Sequence, residues 1–509
     1  MKNTPPCIIV QAGGRGSRLR HHTWNKPKCL VSVRGKPLLY QLFSRFAGGD
    51  FKVIGDYAFD QLTRFIEVNP PEAQVELIKA QTHGTASGIR EALARVPDDA
   101  SIILVWSDLI IGELPDWPEG DLPVVCTTSA FTCRWVVGED GRLVESPAAR
   151  NGIPGLFYFP DKQALAGVPE GGEFVKWFAA NILAFRTLDC PNLSELGDFA
   201  TLERENDAAG FSRFFNRVEI AEDHVTKSAI DPDYAHLIER EQVWYAEARR
   251  LGFRRIPAIR SHTPFVMDRI PGEHLYKIHD LSLREQRAVM ADYLDALTAL
   301  HDKEEAPAKA EDVIDVYLTK TLNRVNSVAP IIPGFERDSV TINGKKCRNV
   351  FSEKHQSILQ QMMPRLMPSA FRPIHGDPTF SNTLVDDKLR TWFIDPRGYF
   401  SKPGIMGDPW YDFAKVYYSA VGGYDAFNRR KFKLHVDLET VEVLYEEPRY
   451  AATAIDIFSH DFGSEMARIE VLHGLIWLAL SGYVRDDIDS VIGAFYLGLY
   501  WLEVGSAKL

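Results

Sequence analysis

The strongest constraint on this chain lies in residues 372–415, RPIHGDPTFSNTLVDDKLRTWFIDPRGYFSKPGIMGDPWYDFAK. Three groups able to do chemistry stand there in short loops between apolar runs. His375-Gly376-Asp377 is followed, five residues after the aspartate, by Asn382. A strand-like run over 382–385, a polar turn at Asp386-Asp387 and a second strand over 391–394 lead to Asp395. A hairpin there would bring Asp377, Asn382 and Asp395 together. Phosphoryl transfer needs such a set: one carboxylate to orient an attacking hydroxyl and accept its proton, an amide and a second carboxylate to hold Mg²⁺ on nucleotide phosphates. The alternative is a surface hairpin whose Asp and Asn residues serve turns. Turn chemistry does not predict the later block Gly407-Asp408-Pro409-Trp410-Tyr411-Asp412.

HGDPTFSN, FIDPRG and GDPWYDFAK resemble the catalytic segment of the aminoglycoside phosphotransferase and choline kinase superfamily, relatives of protein kinases. The resemblance implies Asp377 as catalytic base, Asn382 and Asp395 as Mg²⁺ ligands and His375 as a loop-shaping residue. Pro396-Arg397-Gly398 stands where protein kinases carry Phe-Gly, so regulation through that segment is not implied.

A chain of 509 residues is too long for one core, and two or three domains are expected. A formal charge of −11 argues against a nucleic-acid backbone or an anionic membrane as partner. Phosphate-bearing small molecules remain compatible, since local basic loops bind them inside acidic proteins. Six scattered cysteines without a CxxC pair fit a reduced cytoplasm without structural zinc. No signal peptide is read at the start, and residues 471–484, apolar but short and interrupted by His473, read as a buried helix rather than a membrane span.

Residues 7–19, CIIVQAGGRGSRL, give a short strand, a loop with Gly13, Gly14 and Gly16, and a helix start. Small residues let backbone approach a triphosphate, and the helix terminus offers free N–H groups. A dinucleotide fold has the same opening, but basic residues occupy the place of its acidic ribose ligand. Lys26 and Lys28 flank Pro27, and with Arg15 and Arg18 they predict a positive pocket. Here the sequence resembles the nucleotidyltransferases that join an NTP to a phosphomonoester, including sugar-1-phosphate and phosphocholine types, through Gly14, Gly16, Arg18, Leu19, Pro27 and Lys28. Gln11-Ala12-Gly13 departs from that family's commoner Leu-Ala-Ala-Gly lead-in.

The apolar run 101–107 ends in Asp108, an acid at the carboxyl end of an interior strand, where open α/β sheets bind ligands. The resemblance makes Asp108 the first metal ligand and Asp198, in Glu195-Leu196-Gly197-Asp198, the second. It also places Gln81 and Gly84 at the nucleobase, with an N-capped helix start as the alternative. Arg134 and Lys176, cations beside aromatics, are candidates for the acceptor's phosphate or ordinary surface charges.

No Pro/Ser-rich linker marks a boundary; pattern puts the join near Gly210, giving domains 1–210 and 211–509. In the second, a small lobe of about residues 211–272 carries Lys227 on a strand and Glu241 on the following helix, the pair that grips nucleotide phosphates in kinase-like lobes. Residues 265–272 resemble the hinge that meets adenine, with a turn after a buried strand as the alternative. Residues 283–301 have helical periodicity, with Leu294, Leu297 and Leu300 facing the core. Most of 312–367 and 411–509 also reads as helical. Tyr399, Trp410, Tyr417 and Tyr418 are available for packing or for an aromatic cage around an ammonium group.

The expectation is an α/β chain: a Rossmann-like nucleotidyltransferase domain with a mixed, mostly parallel sheet, then a bilobal kinase-like domain with a large helical lobe. The first resembled activity consumes what the second produces. The reading is a bifunctional enzyme that phosphorylates a small alcohol, amino alcohol, polyol or sugar with ATP, then activates the product with a second NTP. Such products build surface polysaccharides, teichoic-type polymers or lipid head groups. CTP is favoured, because Lys-Cys-Leu-Val with Gly-Arg-Gly-Ser-Arg resembles the phosphocholine cytidylyltransferase branch. Both sites would use Mg²⁺. Alternatives are an anomeric sugar kinase joined to a uridylyl- or guanylyltransferase, one half kept only for binding, and aminoglycoside inactivation. The partners expected are small molecules alone, and the oligomeric state stays open.

Overall fold

A computed structural model describes residues 6–209, 216–437 and 439–509. The chain gathers into two compact units, residues 1–210 with 486–489, and residues 211–485 with 490–509. The join expected at Gly210 lies outside the described residues.

In the first unit, β1 (Cys7–Gln11), β2 (Asp50–Gly55), β3 (Gln74–Lys79), β4 (Ile102–Trp106), β5 (Val124–Thr127), β6 (Leu156–Phe159) and β7 (Arg186–Asp189) form one sheet, in the order β7-β5-β6-β4-β1-β2-β3. The central strands are buried almost throughout, as continuous β-branched runs require. All neighbours are parallel except the two pairings of β6. Gln11 pairs in register with Ile54 and with Trp106, so the loops leaving β1 and β4 emerge side by side at the carboxyl edge. Against one sheet face packs the helix Phe174–Asn181, with Phe174 edge-on to Phe157 at 5.2 Å and both rings fully buried. Residues 81–86 precede a helix as expected, Ile89–Leu93, but they form a turn held against the loop at Gly172 and give it no side-chain cap.

In the second unit, β8 (Asn216–Ile220), β9 (His224–Ala229), β10 (Ile259–His262) and β11 (Phe265–Asp268) make an antiparallel sheet in the order β8-β9-β11-β10. The helix Ala235–Arg250 follows β9 and buries Glu241, Trp244 and Tyr245. After residue 271 the chain forms β12 (Gly272–His274), which joins a hairpin of β13 (Thr383–Asp386) and β14 (Thr391–Phe393). Asp386 closes that hairpin by accepting the amides of Lys388 and Arg390, each at 3.0 Å. The helix Leu283–His301 opens with a reciprocal cap between Ser282 and Glu285 and buries Leu294, Leu297 and Leu300. Residues 471–484 belong largely to the buried helix Met466–Ser481, and among the described residues no helix is long and apolar enough to cross a membrane.

Most of 411–509 is helical as expected, in Pro409–Ala420, Ala451–Asp461, Met466–Ser481 and Ile488–Ser506 among others, but the helical reading of 312–367 and 411–509 missed strands in both. Those stretches also supply a four-stranded sheet, in the order Lys345–Arg348, Ser339–Ile342, Thr440–Tyr445, Phe432–Val436. The signals were period-two burial in Phe432–Val436 and Thr440–Tyr445 and Asn343-Gly344, both at positive φ, a pair that favours a two-residue hairpin turn.

Candidate functional sites

In the second unit the loop that carries Asp377 is built from its buried neighbours outward. Asp412, fully buried in the helix Pro409–Ala420, accepts the amides of His375 and Gly376, each at 2.7 Å, and lies 3.1 Å from His301 Nε2. The Asp377 amide donates to His375 Nδ1 at 3.3 Å, which leaves His375 Nε2 to donate to the Ile394 carbonyl at 3.0 Å. Burial lowers the His375 pKa, consistent with that neutral tautomer. One imidazole thus ties the loop of Asp377 to the strand end that presents Asp395. Gly376 has φ 83°, and a Cβ there would meet Arg397 Cβ at 2.8 Å.

Asp377, Asn382 and Asp395 are gathered in this loop cluster. Asn382 Nδ2 donates to the Asp377 carbonyl at 2.8 Å and to its Oδ2 at 2.9 Å. Lys227 Nζ is 2.7 Å from Glu241 Oε1 and is also paired with Asp395. Burial alone would lower the Lys227 pKa, but the charges of Asp395 and Glu241 outweigh it and the pKa is raised. Asp395 sits at φ 56°, an uncommon conformation outside glycine that is held here by its surroundings. Lys415, a residue the sequence reading did not single out, is 2.9 Å from Asp377 Oδ1. It stands on the same helix as Asp412, and the GDPWYDFAK block contains both.

In the first unit the loops after β1 and β4 border a cleft of about 500 Å³ lined by Arg18, Trp106, Asp108, Arg134, Glu173 and Glu195 among others, a volume in the range of small-ligand sites. Gly16, at φ 67°, packs so closely that a Cβ would meet Lys28 Cβ at 2.9 Å, and the Lys28 amide is bonded to the Gly14 carbonyl. The glycine loop and Lys28 are therefore one structure. Lys28 Nζ reaches Asp108 Oδ2 at 2.6 Å, and Arg18 Nη2 is 3.8 Å from Glu195. Gln11 explains its own departure from the common lead-in: its side-chain amide donates to the carbonyls of Thr85 and Ser87, each at 2.8 Å, and fixes the cleft wall.

Other candidates are placed differently. Lys26 is turned from the cleft and buried between Asp487 and Asp489, so it adds nothing to a positive pocket. Arg15 lies over the Tyr57 ring. Gln81 is exposed, bonded to the Lys79 carbonyl, and neither it nor Lys176 lines the cleft. Gly13 packs against Asp56, and Gly84 lies in the turn before Thr85. Arg134 lines the cleft but is paired with Glu145 and Glu173. Asp198 accepts the Thr201 amide at 2.9 Å, as a cap on the helix Phe199–Ala209, while Glu195 three residues earlier faces the cleft. Burial and the neighbouring Asp108 charge raise the Glu195 pKa. The Asp198-x-x-Thr201 spacing was a cap signal in the sequence. Among the described residues no group of three or more His, Cys, Asp or Glu side chains is gathered as a metal centre; each site offers a pair of oxygen donors instead.

Residues 208–436 match the phosphotransferase enzyme family. No curated protein matches the chain. Similar solved structures include the inositol-1-phosphate CTP transferase from T. maritima, 15% identical, covering 40% of this chain and 93% of that one, with a TM-score of 0.33. The CTP:phosphocholine cytidylyltransferase LicC from Streptococcus pneumoniae is 18% identical over 39% of this chain and 96% of its own, with a TM-score of 0.30. HddC from Yersinia pseudotuberculosis, complexed with GMP-PN, is 18% identical over 40% and 99%, with a TM-score of 0.32.

Proposed function

We propose that a chain with a phosphotransferase-family domain over residues 208–436 is a bifunctional enzyme, a small-molecule kinase joined to a nucleotidyltransferase. The observation that carries the kinase half is the gathering of Asp377, Asn382, Asp395 and the Lys227–Glu241 pair. The acceptor is a small alcohol, amino alcohol, polyol or sugar. Its hydroxyl gives its proton to Asp377 as the oxygen attacks the γ-phosphorus of ATP. A new O–P bond forms, the bond to the leaving β-phosphate oxygen breaks, and ADP departs. Lys227, oriented by Glu241, meets the α- and β-phosphates, and His375 with Asp412 holds the loop in register.

In the first unit, an oxygen of the phosphomonoester product attacks the α-phosphorus of a second NTP and pyrophosphate leaves. No general base is needed, because the nucleophile is already an anion. The amides of the loop at Gly13, Gly14 and Gly16, with Arg18 and Lys28, balance the phosphate charge. Arg134 is the cation best placed for the acceptor's phosphate, whereas Lys176 and Gln81 lie outside the cleft. Glu195 replaces Asp198 as the partner of Asp108 in binding a metal. Mg²⁺ suits the oxygen pairs Asp108 with Glu195 and Asp395 with Asn382, and when bound it neutralises phosphate charge. The motif resemblance to phosphocholine cytidylyltransferases favours CTP, and the product would be a nucleotide-activated precursor for surface polysaccharide or head-group synthesis.

The test is pyrophosphate release by the intact protein across CTP, UTP, GTP and ATP, against phosphorylated alcohols and sugar-1-phosphates. Turnover with CTP and a phosphorylated alcohol, abolished in Asp108→Asn, supports the reading. Turnover only with a sugar-1-phosphate and UTP or GTP replaces it with the anomeric-kinase alternative.

A further inference from the structure

In the second unit four basic side chains, Lys320, Arg324, Arg397 and Lys415, share one neighbourhood, which Lys415 joins to Asp377. Lys415 is bonded to that carboxylate. Arg397, in the loop after Asp395, donates to the hydroxyls of Tyr411 at 2.8 Å and Tyr399 at 3.0 Å and lies 4.2 Å over the Tyr399 ring. Lys320 and Arg324 stand one turn apart on the helix Lys320–Asn326, directly after the widened π-turn Asp315–Thr319, a departure from α geometry frequent at functional sites. The charges of Arg397, Arg324 and Lys415 all act on Lys320, and that of Arg397 acts on Arg324. All four side chains keep some solvent-accessible surface. Even so, protein surrounds Lys320 and Arg324 closely enough that desolvation is the largest cause lowering both pKa values.

The facing acids do not neutralise this cluster. Asp377 is engaged with Lys415, and Asp315 is the carboxylate whose field reaches Lys320, so two acidic charges stand against four basic groups. Among the described residues Lys320 has no ion pair, and Arg324 has only a 3.3 Å bond to the Ala479 carbonyl and the Tyr483 ring beneath it. The aromatics that could have caged a substrate ammonium are already engaged: Tyr399 holds Arg397, Trp410 holds Arg468 at 5.7 Å, Tyr418 holds Lys415 at 5.1 Å, and Tyr417 is buried against Phe458 and Trp501. A further cation there meets like charge, whereas an anion relieves it.

We propose that the kinase acceptor carries an anionic group, a carboxylate or a phosphate, received by Lys320 and Arg324 while its hydroxyl faces Asp377. This rests on the kinase reading above and narrows its acceptor away from amino alcohols, toward acidic or already phosphorylated polyols and sugars.

The experiment gives the full-length protein ATP, Mg²⁺ and matched acceptors: glycerol, glycerate and glycerol 3-phosphate; glucose, gluconate and glucose 6-phosphate; ethanolamine and choline. The anionic members should be better by at least about tenfold in kcat/KM, the worth of one charged hydrogen bond. The carboxylate and phosphate arms tell which anion is used. Lys320→Met and Arg324→Met should each raise the KM of that acceptor about tenfold with the KM of ATP within about twofold, and Lys320→Arg should recover most of the loss. Equal or better use of neutral or amino acceptors overturns the proposal and leaves the kinase standing. So does a rise in the KM of ATP in the variants, which would assign the cluster to the nucleotide. If no acceptor is phosphorylated, the kinase reading fails, and thermal shifts decide the anion site alone. Stabilisation by glycerate or glycerol 3-phosphate but not glycerol, lost in Lys320→Met, supports it; no difference overturns it.

Discussion

Lys227 is 5% exposed and is held between Glu241 and Asp395. Its replacement would strand two carboxylates in a poorly solvated place. Lys227→Met should therefore cost about 3–5 kcal/mol, read by urea unfolding, as well as abolish phosphoryl transfer. In the first unit, Glu195 and Asp198 give opposite expectations although three residues apart. Glu195→Gln should cut pyrophosphate release by about 100-fold or more, with stability little changed. Asp198→Ala should leave turnover nearly intact and cost about 1 kcal/mol as a lost cap. The reverse pattern would return the metal role to Asp198. At this scale the sequence was most legible where short loops do the gathering: Asp377, Asn382 and Asp395 are close in the chain, so one hairpin suffices. Lys415 and Asp412 were on the page in the same block but gained their roles from a helix packing back on the loop, which no local pattern encodes.

The helix Pro409–Ala420 begins at Asp408, whose carboxylate accepts the Trp410 amide at 2.9 Å and the Tyr317 hydroxyl at 2.7 Å. Burial raises its pKa to about 6 despite those bonds. The folded state thus binds its proton more tightly than the unfolded chain. Stability from this group is full below about pH 4 and is lost as pH rises through about 6, on the order of 3 kcal/mol in all. Asp408→Asn should flatten the stability profile across that window, measured by denaturant titration at each pH. An unchanged profile would assign the titration to another group, such as Asp425, also raised to about 6 by burial. Elements with one strong period were readable: the strand of residues 7–11, the helix Leu283–His301, the hairpin at Asp386. The sheet of residues 339–348 and 432–445 carried the same kind of signal more weakly, since its four strands are four to six residues long and set among helices whose longer apolar runs dominate the pattern.

At the scale of the molecule, the two chemistries proposed above are assigned to two units, so a change confined to one should spare the other. Asp108→Asn should remove pyrophosphate release by about 100-fold or more and leave ATP-dependent phosphorylation within about twofold of wild type, assayed on one preparation. Asp377→Asn should do the converse. The chain was expected to part at residue 210, and Lys26 limits what that cut can mean. Its ammonium is 1% exposed and answered by Asp487 and Asp489, residues that group with the first unit. A gene severed at codon 210 would encode a first half with a buried cation and no counter-charge, a defect worth about 3–5 kcal/mol. The break that a reader of the sequence would choose is thus one that the first unit's own electrostatics oppose.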